Sequence, residues 1–347
     1  MRGPSENPFD GWITKYRVSR SVHESEIQAR LDRKVGIHLP SIDKGVLRIN
    51  SVFLEYIDRY FFLRGYAAVG GGVIAIFTLW ASVMLFIVAN KPLNSGELPP
   101  VAASIMVWFF LFLFLSMFFW VLKFALLREF FCYTYYPIRF NRNTRKVYIF
   151  LHKDKNGVLA LDWNKVFWFI GRSRDGSHYI YDLRGHVLDD EKIVRYTFAV
   201  GHYGETQAEI LQHWEMIRLY MEESPASLPY PPLALSLSTQ PTLRNCLLIQ
   251  MGWLNTSQSG AVFLLSVVWG FFRWLALKTC RQPRWPADIE AACQIPANDP
   301  YRQTEPLKTG EFPDFGEAEE LRQSEYIREA RAAAEAYEQA RSKANAS

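Results

Sequence analysis

The sequence predicts an α+β membrane protein: a two-helix transmembrane hairpin joined to an antiparallel β-rich cytoplasmic domain that is capped by a helix. Three observations predict it. Two long, nearly uncharged apolar runs lie close together at Gly65–Ala89 and Val101–Leu127. Short alternating runs broken by Asp/Asn-Gly turns follow from Tyr133. One amphipathic helical pattern then closes that region before Pro225. Runs of the first kind read as membrane spans, alternation as strands, and 3.6-residue spacing as helix.

The average composition hides this layout. The chain has 347 residues, 21% of them charged, and a mean hydropathy of −0.07. Those averages suit a soluble protein, but the apolar residues are concentrated in a few segments. The net charge of +4 is too small to argue for nucleic acid without a dense basic patch. Cys132, Cys246, Cys280 and Cys293 form no CxxC pair, which suits reduced thiols facing the cytosol. Seven scattered histidines show no HxxxH or HExxH spacing, so no metal or other cofactor is expected.

Residues 1–64 read as a cytoplasmic N-terminal segment. It is polar and charged, and such a stretch ahead of the first apolar run is unlike a secretory signal peptide. The first run, GYAAVGGGVIAIFTLWASVMLFIVA, holds 25 residues without a charge. At the helical rise it extends about 37 Å, enough to cross a hydrocarbon core of roughly 30 Å with some tilt. Arg64 and Lys91 close its two ends. The second run, VAASIMVWFFLFLFLSMFFWVLKFALL, carries only Lys123, near one end, where an amine reaches the headgroups. Asn90–Pro100 joins the two with Pro, Gly, Asn and Ser, so the spans at 65–89 and 101–127 form an antiparallel hairpin. Gly70, Gly71 and Gly72 are a candidate helix-packing face that admits the second helix or another copy of the chain; the alternative is that they merely loosen the first helix.

Flanking charge sets the orientation. Ten Lys and Arg residues precede the first span, from Lys15 to Arg64, and Arg128, Arg139, Arg142, Arg145 and Lys146 follow the second, against Lys91 alone between them. Positive-inside bias places both ends in the cytoplasm and the short connection outside.

Residues 128–227 read as the β-rich domain. YTYYPIRFNR, KVYIFLHK, VLALDWNKVFWFIGRS, HYIYDLRG and VRYTFAVG supply six or seven strands, with turns at Asp154–Gly157 and Arg174–Ser177. ETQAEILQHWEMIRLYMEES then repeats apolar residues at helical spacing, starting near Thr206 and ending at Pro225. Strands followed by one capping helix are the order of a pleckstrin-homology-like fold, an analogy that carries no function. Trp163 and Trp168 stand on opposite parity, which predicts Trp163 inside and Trp214 as a plug. Arg139, Arg142, Arg145 and Lys146 are candidate contacts for anionic lipid or a protein partner, at about 1 kcal/mol per basic residue near a membrane surface; the alternative is a solvated topology signal. Asp182, Asp189, Asp190, Glu191 and His186 read as a solvated turn region rather than a cation site.

Residues 228–285 hold a Pro/Ser-rich linker and a third apolar run. AVFLLSVVWGFFRWLAL, Ala261–Leu277, is short for a span and is interrupted by Arg273, so it is expected as an interfacial or re-entrant helix. Residues 286–347 are Pro-rich and then helical, with Glu325 and Glu329 beside Arg328 and Arg331 and a thin apolar face of Leu321, Ile327 and Tyr337. That thin face predicts a solvated helix or a weak docking arm.

There is no GxSxG elbow, no Walker loop and no GxGxxG after a strand; GGGV lies within the first span. The chain is therefore expected to act without catalysis. Taken together, PIRFNRNTRKVYIF, LDWNKVFWFI, YDLRG, TFAVG and HWEMIRLYMEESP resemble the DUF6708 family of bacterial proteins over residues 40–285. The resemblance implies an inner-membrane protein of a Gram-negative bacterium, often encoded near type VI secretion genes. It supplies no active site. Partners expected on this basis are the lipid bilayer and another protein, with an immunity or accessory role against a membrane-acting toxin. The alternatives are a membrane-anchored lipid- or protein-binding scaffold or sensor, and a membrane-acting effector.

Overall fold

The computed structural model describes residues 16–42, 45–90, 101–151, 157–175, 178–229, 237–253, 260–311 and 314–346. Most of the 90–100 connection, the tips of the turns at 154–157 and 174–177, and the 230–236 part of the linker lie outside these residues. The chain forms two compact units. The first comprises Met1–Phe62, Tyr135–Gln240 and Pro283–Ser347; the second comprises Leu63–Thr134 and Pro241–Gln282.

The first unit is built on two antiparallel sheets. Its strands are β1 (Arg20–Ser21), β2 (Val46–Ile49), β3 (Phe53–Tyr56), β4 (Ile138–Asn141), β5 (Lys146–Phe150), β6 (Val158–Asp162), β7 (Phe167–Asp175), β8 (His178–Leu188), β9 (Ile193–Gly204) and β10 (Gln303–Thr304). One sheet has the order β10-β2-β3-β4-β5-β6, the other β1-β9-β8-β7. Of the six or seven strands expected after Tyr133, six are present among the described residues, β4–β9. The N-terminal segment also enters the sheets, which its local sequence did not indicate. Strands β3 and β4 pair as Phe53↔Asn141, Leu54↔Phe140, Glu55↔Arg139 and Tyr56↔Ile138. The first two apolar runs are thus an insertion between neighbouring strands of one sheet.

The helices of this unit are α1 (Glu24–Gln28), α2 (Arg59–Leu63, whose last residue belongs to the second unit), α6 (Gln207–Arg218), α9 (Ala287–Ala292) and α10 (Glu317–Ala346). The Thr206 hydroxyl accepts a hydrogen bond from Glu209 N and caps α6; a π-turn at Leu219–Glu223 ends it ahead of Pro225. Trp163, Trp168 and Trp214 are all buried, with ring centroids 5.1–5.7 Å apart. Parity predicted only one of the two strand tryptophans inside. Both are inside because Trp163 lies in the turn between β6 and β7, where alternation is reset. The C-terminal helix α10 docks rather than remaining solvated. Gln212 Nε2 donates to Ala330 O at 2.8 Å and Ala208 N to Glu338 Oε1 at 2.9 Å, and Ala330 is buried. Alanines allow a close backbone approach that a count of large apolar residues overlooks.

The second unit holds α3 (Tyr66–Ala89), α4 (Val101–Val121), a π-turn at Leu122–Leu126, α5 (Leu127–Glu129), α7 (Leu243–Trp253) and α8 (Gly260–Lys278). Among the described residues, three helices are long and apolar enough to cross a membrane: Tyr66–Ala89, Ala103–Glu129 and Gly260–Lys278. Large apolar side chains such as Phe77, Trp80, Phe109, Phe112, Phe119 and Trp120 stand exposed on α3 and α4, as lipid-facing surfaces require. The chain is a multi-pass membrane protein. The third run forms one continuous 19-residue helix, longer than its sequence suggested, because Arg273 is buried inside the unit and does not interrupt it.

Candidate functional site

Two buried ionic clusters stand out, one in each unit. In the membrane unit, the cluster gathers at the start of α3. Gly65 precedes that helix with φ +101°, and a Cβ there would lie 3.0 Å from Arg273 Cβ and 3.1 Å from Trp269 O. Glycine is required by both the dihedral and the close passage of α8. Having no side chain, Gly65 cannot cap the exposed amides. Glu129, brought in by α5, does so instead. Its carboxylate accepts from Gly65 N at 3.1 Å, Ala67 N at 3.1 Å and Ala68 N at 2.9 Å. A carboxylate at a helix N-terminus meets both the orphan donors and the positive end of the dipole.

Arg64 and Arg273 complete the cluster. Arg64 Nη1 donates to Glu129 O at 3.0 Å and to Cys132 Sγ at 3.0 Å, while its Nη2 donates to Tyr133 O. Arg273 Nη1 donates to Arg64 O at 3.3 Å. All three ionic side chains are buried. Intramembrane and membrane-edge charges of this kind are costly unless paired, so they fasten the helices that carry them. Beside them run Cys132 and Cys280. Arg281 N donates to Cys132 O at 2.8 Å and Thr134 N to Arg281 O at 2.9 Å, a parallel bridge that sets the two thiols side by side.

The glycine triplet divides its roles. A Cβ on Gly71 would meet Ala125 Cβ at 2.9 Å, one on Gly72 would come within 3.8 Å of the Phe272 ring, and one on Gly70 meets nothing within 4 Å. The buried seam of α3 is Ala68, Gly71, Ala75, Thr78 and Ser82, small residues spaced alternately three and four apart. Such a seam lets two helices approach closely without large side chains between them. Phe77 meets Phe114 at 6.2 Å farther along, so α3 and α4 run antiparallel.

In the first unit, the second cluster centres on Arg139. The sequence placed Arg139, Arg142, Arg145 and Lys146 together as a contact for lipid or partner; the fold separates them. Arg139 is fully buried, with its Nη2 2.7 Å from Glu55 Oε2 and its guanidinium over the rings of Phe53 at 4.1 Å and Trp285 at 4.7 Å. Trp285 Nε1 donates to the same Glu55 oxygen at 2.9 Å. This side chain faces protein, because β3 puts a carboxylate directly opposite it. Arg142 donates to Glu223 O, and Arg145 to Met221 O and the Glu222 carboxylate, so both serve the C-terminal end of the α6 turn. Lys146 is exposed. The acidic residues near β8 also part company. Asp182 is buried between Arg59 at 3.1 Å and Arg184 at 2.6 Å, while Asp189 pairs with Arg195 at the β8–β9 turn. His186 faces Thr197 at 2.8 Å and Glu26 at 3.3 Å. Burial and Glu26's hydrogen bonds act on the pair in opposite directions; the net result holds the Glu26 carboxyl far below its usual range and keeps the imidazole pKa down.

Among the described residues, no group of three or more His, Cys, Asp or Glu side chains is placed to hold a metal ion. Sequence reasoning missed Glu129 and Glu55, since each is a single carboxylate whose partner lies far along the chain. The available signal was a lone acid at the end of an apolar run, where an unpaired charge is expensive.

A family model described as a family of unknown function, DUF6708, matches residues 114–296. Comparison with curated proteins and with solved structures gives no match.

Proposed function

The chain belongs to the DUF6708 family, and on that premise we propose that it is a bacterial inner-membrane protein that acts by binding another protein at the membrane. Its role is that of an immunity or accessory factor associated with type VI secretion. In this reading α3 and α4 form a transmembrane hairpin with both chain ends in the cytoplasm. The two sheets and α6 form a pleckstrin-homology-like cytoplasmic domain, and the protein is not an enzyme.

The observation that carries the reading is where the polar groups go. Prominent buried ionic groups of the first unit are engaged with one another, as in Arg139–Glu55, Arg59–Asp182–Arg184 and Arg218–Glu215. They hold strands and helices together. A broad surface open to recognition is the apolar outer face of α3 and α4, which is where a membrane-acting toxin would present itself. The test is genetic and biochemical. Deleting the gene should sensitise cells to an effector encoded beside it, and that effector should co-purify with the chain from detergent. A deletion strain as resistant as its parent, with no effector retained, overturns the proposal. Toxicity of the chain itself on expression would instead favour the effector alternative.

A further inference from the structure

We propose that Cys132 and Cys280 are a redox modification site, closed to an intramolecular disulfide by a low-molecular-weight disulfide such as oxidised glutathione. The two thiols come from positions 148 residues apart, yet their sulfurs lie 3.7 Å from each other. Tyr133 and Arg281 are partners in a parallel bridge, so Cys132 and Cys280 occupy adjacent register positions on the same pair of segments. Neighbouring strands lie about 4.8 Å apart, within the Cα separation that a disulfide spans, so closure needs side-chain rotation rather than backbone rearrangement. Both thiols are partly exposed, whereas Cys246 and Cys293 are buried. An attacking disulfide therefore reaches one pair and not the other.

The surroundings distinguish the two sulfurs. Arg64 Nη1 lies 3.0 Å from Cys132 Sγ and 3.7 Å from Cys280 Sγ. A guanidinium at that distance favours the thiolate of Cys132. The hydrogen bond with Cys132, together with burial, pushes the Cys280 thiol up. Cys132 is thus the first nucleophile and Cys280 the resolving thiol. The Cys132 thiolate attacks one sulfur of the oxidant, a Cys132–sulfur bond forms, and the oxidant's own S–S bond breaks with its electron pair leaving on the first thiolate. Cys280 then gives up its proton to water and attacks Cys132 Sγ, expelling the second thiolate. The chain loses two hydrogens and the oxidant becomes two thiols.

Closure has a structural consequence. In the reduced chain Glu129 O lies within hydrogen-bond reach of both thiols, 3.3 Å from Cys132 Sγ and 3.2 Å from Cys280 Sγ. A disulfide leaves neither sulfur able to donate to that carbonyl and covalently ties the segment after α8 to the segment leaving α5, beside the carboxylate that caps α3.

The experiment uses the full chain in detergent micelles or nanodiscs, treated with oxidised glutathione, then denatured and alkylated. The untreated chain should take up four alkyl groups, one for each cysteine, and the treated chain two. Peptide mapping should place the link between Cys132 and Cys280. Cys132→Ser should abolish it, and the Cys246→Ser/Cys293→Ser double variant should retain it. Four alkyl groups after treatment, glutathione adducts that never resolve, or a link between chains or to Cys246 or Cys293 would each overturn the proposal. The readout comes from the native chain, so a variant that fails to fold does not decide the outcome.

Discussion

Arg139 shows how a residue's meaning depends on its partner. In sequence it belongs to a basic run after a membrane exit; in the fold it is a buried cross-strand ion pair with Glu55, covered by Trp285. Removing one partner of such a pair leaves an uncompensated buried charge, which costs about 3–5 kcal/mol. Glu55→Ala should therefore lower the unfolding midpoint substantially, by thermal or denaturant unfolding in detergent, while Lys146→Ala, at an exposed site, should change it little. His213 offers a pH test. It is buried against Tyr56 and His202, and desolvation, aided by His202, pushes its pKa down to about 3 from an ordinary imidazole value of 6.5. Above 6.5 both folded and unfolded chains hold it neutral and no proton-linked cost exists. As pH falls below that value the unfolded chain takes up a proton that the folded chain refuses. Stability should then decline by up to about 1.4 kcal/mol per pH unit until about pH 3. His213→Phe should flatten that part of the profile, measured as unfolding midpoint against pH; an unchanged slope would assign the acid sensitivity elsewhere.

Helix α3 is organised by small residues on one side and a borrowed cap at its start. The two features predict different mutants. Gly71→Leu pushes side-chain atoms into Ala125 and Leu126, whereas Gly70→Leu enters open space. The first should cost about 1–3 kcal/mol through overpacking, and the second should be tolerated; differential scanning of both variants in one detergent compares them directly. Glu129→Ala strips three amides of their acceptor and should destabilise the α3 start by at least the ~1–2 kcal/mol of an ordinary capping loss. Protease cleavage near Gly65 should then rise. Of these features, the small-residue character of α3 was legible, since glycines and alanines stand out in an apolar run. Which of them faces α4 was not, because residues one apart on a helix point about 100° apart and only packing selects the side.

For the whole molecule, the apolar helices require lipid. Carbonate washing should leave the chain in the membrane pellet, and a thiol engineered at Ser95, outside the described residues, should react with an impermeant reagent from the outer face. Release into the supernatant would overturn membrane integration, and labelling of the tail from outside would overturn the proposed topology. The insertion of α3 and α4 between β3 and β4 also predicts that the N-terminal segment cannot be discarded. A chain beginning at Gly65 lacks two strands from the interior of a six-stranded sheet, along with the Glu55 carboxylate, and should fail to accumulate as folded protein.

The amino-acid sequence by itself determined the membrane runs, the strands after Tyr133 and the helix capped by Thr206. Each is a local pattern: length without charge, alternation with turns, or apolar spacing after a capping residue. The tertiary structure alone decided which distant segments meet. Glu55 reaches Arg139 across 84 residues and Cys132 reaches Cys280 across 148. Periodicity reports which face of a segment is buried and carries no information about the surface that buries it, so partners across such separations are chosen only when the sheets and helices close on one another.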